Sequence, residues 1–249
     1  MIKRHRLIEF QGFTLVELVL VILVIGIIGS VALRTVQPAL EQAREDATFR
    51  EMLAIEYAII GNPGLVSNGV RSDYGYVGDI GALPPSLDAL VSNPGYATWS
   101  GPYIMNNFAE NTEDYKKDSW GDDYTYPGGV TISSNGGGSP ITRQIAGNAA
   151  EVMSNTVNGN IYDGLGNAPG DSASRVTITI EYPDGSGSVT SSSVNPDAAG
   201  FFEFAGIVPI GNQLVTAVYS VTGDSTAVYA SVVPRSTVYC EMKFPGGYW

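Results

Sequence analysis

Carboxylates are the plentiful reactive groups of this chain, and one of them stands where a carboxylate is costly. Glu17 opens the run Leu18 to Leu33, which contains no charged residue. An acid in apolar surroundings costs several kcal/mol unless it finds a partner, so Glu17 calls for one. Other reactive groups are scarce: His5 is the single histidine and Cys240 the single cysteine. That scarcity removes most routes to nucleophilic triads, zinc sites and disulfide frameworks. The neighbours Asp122 and Asp123 could serve a hydrolase that uses paired acids, although adjacent acids usually read as loop charges. Cys240, in an apolar and aromatic setting, reads as a packed thiol. With 13 Lys and Arg against 25 Asp and Glu, the net charge of -12 repels phosphate backbones, and no nucleic-acid partner is expected.

The element that must position Glu17 is a long N-terminal helix. Met1-Ile2-Lys3-Arg4-His5-Arg6 is basic and should stay cytoplasmic. Counting from Phe13, about 21 residues rising 1.5 Å each reach across a hydrocarbon layer of roughly 30 Å. Three readings compete for the segment. It is a secretory signal cut after the small residues Ser30-Val31-Ala32, a plain signal anchor, or a segment whose Glu17 has a task. The first two leave Glu17 unexplained.

Gln11-Gly12-Phe13-Thr14-Leu15-Val16-Glu17 resembles the processing site of type IV pilins and pseudopilins. The resemblance implies that a prepilin peptidase cuts between Gly12 and Phe13, that Phe13 is then N-methylated, and that Glu17 meets the terminal amine of a neighbouring subunit during assembly. Glycine at the cut lets a protease approach the backbone closely. Cleavage would remove three of the 13 basic residues and one of the 25 acidic ones, leaving 10 against 24, a net charge of -14 and no histidine.

Beyond Leu33, Val36, Leu40, Ala43 and Ala47 recur at helical spacing among charged residues. Met52, Ile55 and Ile59 continue the pattern to the stop at Gly61-Asn62-Pro63-Gly64, giving a helix of about 48 residues, roughly 70 Å long. Pro38 is a candidate kink, and Gly26 and Gly29 permit close helix approach.

From Val70 to about Pro140 the chain turns rich in Gly, Pro and Tyr, predicting short strands and loops. Leu83-Pro84-Pro85-Ser86-Leu87-Asp88-Ala89-Leu90, Gly101-Pro102-Tyr103 and Asp118-Ser119-Trp120-Gly121-Asp122-Asp123-Tyr124-Thr125-Tyr126 look like the major pseudopilin of type II secretion systems, a similarity that covers roughly residues 1–140. It implies calcium in the loop that follows. Residues 130–138 hold no carboxylate here, with Asp118, Asp122 and Asp123 upstream, so no cofactor is expected and calcium is the one alternative.

After Ser133 to Pro140, read as a linker, a short helix is expected over Gln144 to Met153. Strands are expected over 157–162, 175–182, 201–204, 213–221, 227–233 and 237–244, separated by turns such as Asp163-Gly164 and Pro183-Asp184-Gly185. They suggest a β-sandwich. Gly159-Asn160-Ile161-Tyr162-Asp163, Gly200-Phe201-Phe202-Glu203-Phe204 and Pro209-Ile210-Gly211 look like prealbumin-like or carboxypeptidase-regulatory-like domains.

The expected fold class is α+β: a long transmembrane and amphipathic helix packed on a small antiparallel β domain, the pilin fold, followed by a β-sandwich. The expected segments are a leader at 1–12, the helix at 13–62, a globular domain at 63–140, a linker with a short helix at 141–154 and the sandwich at 155–249. What the resemblance implies is a non-enzymatic subunit polymerising into a type II secretion pseudopilus that helps export folded proteins across the outer membrane. The alternative is a type IV pilus subunit or minor pilin displaying a C-terminal binding domain. Its partners would be copies of itself, minor pseudopilins, prepilin peptidase and an inner-membrane assembly platform. Its place would be the inner membrane, single-pass, N-terminus cytoplasmic and C-terminal domains periplasmic, with the filament in the periplasm or at the cell surface.

Overall fold

The computed structural model describes residues 12–104 and 113–249; within the first helix, the side chains of residues 31–33 and 35 are outside this description. The residues ahead of Gly12 in the expected leader, His5 among them, and the side chains of Val31-Ala32 in the expected alternative cut therefore lie outside the described residues.

Helix α1 runs Leu15–Ile60 and continues through Pro38. Residues through Asp46 belong to one unit and Ala47–Trp249 to another. Helix-forming Leu and Glu sustain it, with i,i+3 and i,i+4 contacts from Arg44 to Glu41 at 3.3 Å and from Gln42 to Asp46 at 3.1 Å. It stops at Gly61, whose φ of 81° few other residues adopt. Arg71 then covers the free carbonyls, donating from Nη2 to Ile60 and Gly61 at 2.6 and 2.8 Å.

In the second unit α1 is followed by β1 (Val66–Ser67), β2 (Val70–Arg71) and α2 (Gly75–Ile80). After these come β3 (Thr131–Ser134), β4 (Ile141–Gln144) and α3 (Ala150–Met153). The remaining strands are β5 (Asn155–Tyr162), β6 (Val176–Pro183), β7 (Val189–Val194), β8 (Phe201–Val208), β9 (Gly211–Tyr219), β10 (Ser225–Val232) and β11 (Thr237–Lys243). β1 pairs with β2 and β3 with β4 as two-stranded ribbons, and Ser133 of β3 also bridges Thr125. The large sheets run β10-β9-β6-β7 and β11-β5-β8. Every pairing is antiparallel except β11 with β5.

Two apolar clusters fill this unit. In the first, Met52, Ile55, Ala58 and Ile59 of α1 meet Tyr76, Val77, Ile80, Leu90, Ile132 and Val152. Burying each such aliphatic side chain is worth about 1.5–3 kcal/mol. The second takes the inward alternate residues of both sheets, including Val157, Ile161, Ile178, Ile180, Phe202, Phe204, Val215 and Met242. The clusters are joined closely. Gly185, between β6 and β7, donates its N–H to Ile80 O at 2.7 Å, and the Tyr74 and Ser231 hydroxyls lie 2.5 Å apart.

The expected α+β pilin fold, with a long transmembrane helix on a small antiparallel sheet, is not the architecture found. Strand is the main regular structure of the second unit, and among the described residues of 63–140 the only named strands are the β1–β2 ribbon and β3. The cause is local: Gly, Pro and Asp interrupt that stretch too often for strands longer than four residues. The segment read as a linker is the β3–β4 ribbon with its turn, and the short helix shrinks to Ala150–Met153. The expected single-pass inner-membrane placement is corrected as well. Among the described residues, no helix is long and apolar enough to cross a membrane. Spanning takes about 20 predominantly apolar residues; here Glu17 stands at the start of the apolar stretch, and the Ser30 hydroxyl donates back to Ile27 O at 2.8 Å.

Candidate functional site

Gly12 and Phe13 lie just ahead of α1, both exposed, and a Cβ built on Gly12 meets nothing within 4 Å. No packing inside the described chain therefore demands glycine there, whereas a protease reading the backbone would. Glu17 has a partner that the sequence reading overlooked. Its carboxylate Oε2 accepts the Thr14 N–H at 3.0 Å and the Thr14 hydroxyl at 2.9 Å, while its own N–H donates to Thr14 Oγ1 at 3.2 Å. This is a capping box, satisfying helix-terminal N–H groups reciprocally. Thr-x-x-Glu ahead of an apolar run was the available signal. The structure thus brings Gly12, Phe13 and Glu17 within one turn of the same helix start, and among the described residues no cation pairs with Glu17.

Beyond the cap, the helix is apolar on every side. Leu15, Val16, Leu18, Val19, Leu20, Val21, Ile22, Leu23, Val24, Ile25, Ile27 and Ile28 are all exposed, from 43% at Val24 to 80% at Leu15. A helix exposed and apolar all round needs a further surface to cover it. Gly26 and Gly29 sit in this stretch with open space where a Cβ would be.

The loop beginning at Asp118 is organised by a carboxylate. Asp118 is 5% exposed. Its Oδ1 accepts N–H groups of Trp120 and Asp122 at 3.0 and 2.9 Å, and its Oδ2 accepts the Ser134 hydroxyl at 2.5 Å. Burial works against the charged form, but these donors and the Gly136 N–H outweigh it and hold the carboxyl below its usual range. Asp122 is exposed and Asp123 pairs with Lys117 at 3.2 Å, so the structure does not bring those two acids together as an acid–base pair. Asp118 accepts four donors, and among the described residues no group of three His, Cys, Asp or Glu side chains is placed to hold a metal ion.

Asp118 belongs to a repeated device. Asp118-Ser-Trp-Gly121, Asp163-Gly-Leu-Gly166, Asp184-Gly-Ser-Gly187 and Asp197-Ala-Ala-Gly200 each bond the Asp N–H to the carbonyl four residues on. Each Asp also accepts the N–H four residues on through Oδ1, and each closing Gly has φ between 84° and 90°. Aspartate satisfies the turn's amides and glycine takes the left-handed position. Cys240 is buried in the second cluster, and burial pushes its thiol pKa up, as for a packed cysteine.

Comparison of the chain with protein families, with curated proteins and with solved structures finds no match.

Proposed function

We propose that the chain is a structural, non-enzymatic filament subunit, processed between Gly12 and Phe13 and polymerised by packing the apolar part of α1 against the same part of other copies. The observation that carries this reading is the exposure of the helix on all sides from Leu15 to Ile28, while the unit Ala47–Trp249 fills its own core with two clusters. The Gly12 backbone, open and without steric constraint from the described chain, supports the cut. Glu17, held at the helix start by Thr14, is placed within four residues of the amine that the cut would create on Phe13. In this proposal the filament is a type II secretion pseudopilus that exports folded proteins, and Phe13 is methylated after processing.

A second reading, a type IV pilus subunit displaying its C-terminal sheets, is favoured by Tyr229 and Tyr239, which stand 67% and 57% exposed on β10 and β11. One comparison separates the two. A deletion strain is compared with wild type by proteomics of the culture medium and negative-stain microscopy of the cells. Loss of exported proteins with unchanged surface fibres supports the secretion filament. Loss of fibres with an unchanged medium supports the pilus, and loss of neither rejects the filament reading.

A further inference from the structure

We infer that the Asp118 carboxylate performs the organising role that a bound calcium ion would otherwise have in the loop from Asp118 to Gly136, so that this loop folds without a divalent cation. The inference concerns the loop's own chemistry and stands whether or not the chain forms a filament.

A calcium ion orders a loop by gathering six to eight oxygens at about 2.3–2.6 Å. Here the polarity is reversed: one buried anion gathers donors. Trp120 and Asp122 bring N–H groups to Oδ1 at 3.0 and 2.9 Å, and Ser134 brings its hydroxyl to Oδ2 at 2.5 Å. The Gly136 N–H completes the set, and only glycine fits there, since a Cβ would lie 2.6 Å from Asp118 Oδ2 and 2.8 Å from Trp120 Cβ. Donors from 120, 122, 134 and 136 thus converge on one carboxylate, joining the start of the loop to the β3 end, a span that a cation would otherwise bridge.

The surrounding charges also fit an anion hub. Asp122 is exposed, and Asp123 is engaged by Lys117 at 3.2 Å, which places an ammonium group on that side of the loop. The closed loop then docks on α1: Ser119 N–H donates to the buried Thr48 Oγ1 at 3.2 Å, and the Ser119 hydroxyl donates to Glu51 Oε1 at 3.2 Å. The hub therefore fixes where Trp120 and Tyr124 meet the helix.

The test uses the full-length chain. Thermal unfolding is followed with a chelator and with millimolar calcium, and terbium is added as a calcium analogue whose luminescence Trp120 would sensitise. The expected result is the same Tm in chelator and calcium, and no terbium emission. Ser134→Ala is expected to lower Tm by several degrees in both conditions, and Asp118→Asn to lower it further. If Asp118→Asn does not fold, Ser134→Ala carries the comparison. A rise in Tm with calcium, terbium emission that Ser134→Ala weakens, or an unchanged Tm in both variants would overturn the inference.

Discussion

The Tyr124 hydroxyl lies 2.7 Å from Glu51 Oε2, so an aromatic residue of the Asp118 loop is tied to the buried half of α1 by a bond from a neutral donor to a carboxylate. Burial, then the Glu51 carboxylate, pushes the Tyr124 pKa up and keeps the phenol protonated. Tyr124→Phe removes the donor but keeps the ring. The expected cost is about 1.5–3 kcal/mol, because the lost bond is to a charged group. Thermal unfolding by circular dichroism should show a Tm lower by roughly 2–4 °C per kcal/mol; an unchanged Tm would mean that the ring alone holds the loop.

Acid should unfold the second unit through two buried aspartates. Asp163 is fully buried and, like Asp118, is held below the ordinary value of 3.8: burial opposes the charge, but N–H groups of Asn167, Leu165 and Tyr248 outweigh it. With folded values depressed, the unfolded chain takes up protons first as pH falls. The stabilisation is therefore complete above the ordinary carboxylate range and lost as pH drops through the folded values. A plot of Tm against pH should fall on its acid side, and Asp163→Asn should lower the neutral plateau while flattening that fall.

Two closing glycines of the Asp loops should differ in sensitivity. Gly200 and Gly166 share left-handed backbones, with φ of 84° and 88°. A Cβ on Gly200 would lie 2.4 Å from Ile161 O, whereas one on Gly166 meets nothing within 4 Å. Gly166→Ala should cost only the backbone penalty of about 1–2 kcal/mol. Gly200→Ala should cost more, as measured by urea unfolding; equal costs would deny the contact a role.

Cys240 should be silent to thiol reagents while the chain is folded. It is buried, its pKa is raised by that burial, and it belongs to the core with Met242 and Phe244. Reaction with an aromatic disulfide should begin only with unfolding in denaturant. Stoichiometric labelling of the native chain would contradict the packing.

Substitutions on the outer helix should separate assembly from stability. Ile25 is 63% exposed. Ile25→Asn removes exposed apolar surface, so melting of the second unit should persist while sedimentable polymer is lost. Polymer that survives would count against assembly through this stretch.

Alternation made the large sheets legible: Val176, Ile178 and Ile180 on β6 and Val157, Gly159 and Ile161 on β5 point inward at every second position. Strand β7 left no such mark, because Val189-Thr-Ser-Ser-Ser-Val194 is an edge with polar residues on both faces. The Gln144–Met153 helix was over-read. Ile141–Gln144 pairs with β3, and Glu151 of what remains accepts the Gly147 N–H from the preceding turn at 2.8 Å. At the helix start, Gly12, Phe13 and Glu17 stand out by type alone. The grip of Thr14 on Glu17 was written in the Thr-x-x-Glu spacing, yet its geometry appears only once the helix exists. The Asp118 hub was out of reach of the sequence, since Ser134 and Gly136 reach Asp118 only across the fold of the loop.

The parallel pairing of β11 with β5 sets the order in which the chain can be completed. Thr237 aligns with Thr156 and Lys243 with Tyr162, so one side of β5 has no neighbour until the last strand has been made. During synthesis at about 5–20 residues per second, that side waits several seconds with unpaired N–H and C=O groups that any other extended segment could engage. Nascent copies emerging close together are thus more exposed to mispairing than finished ones.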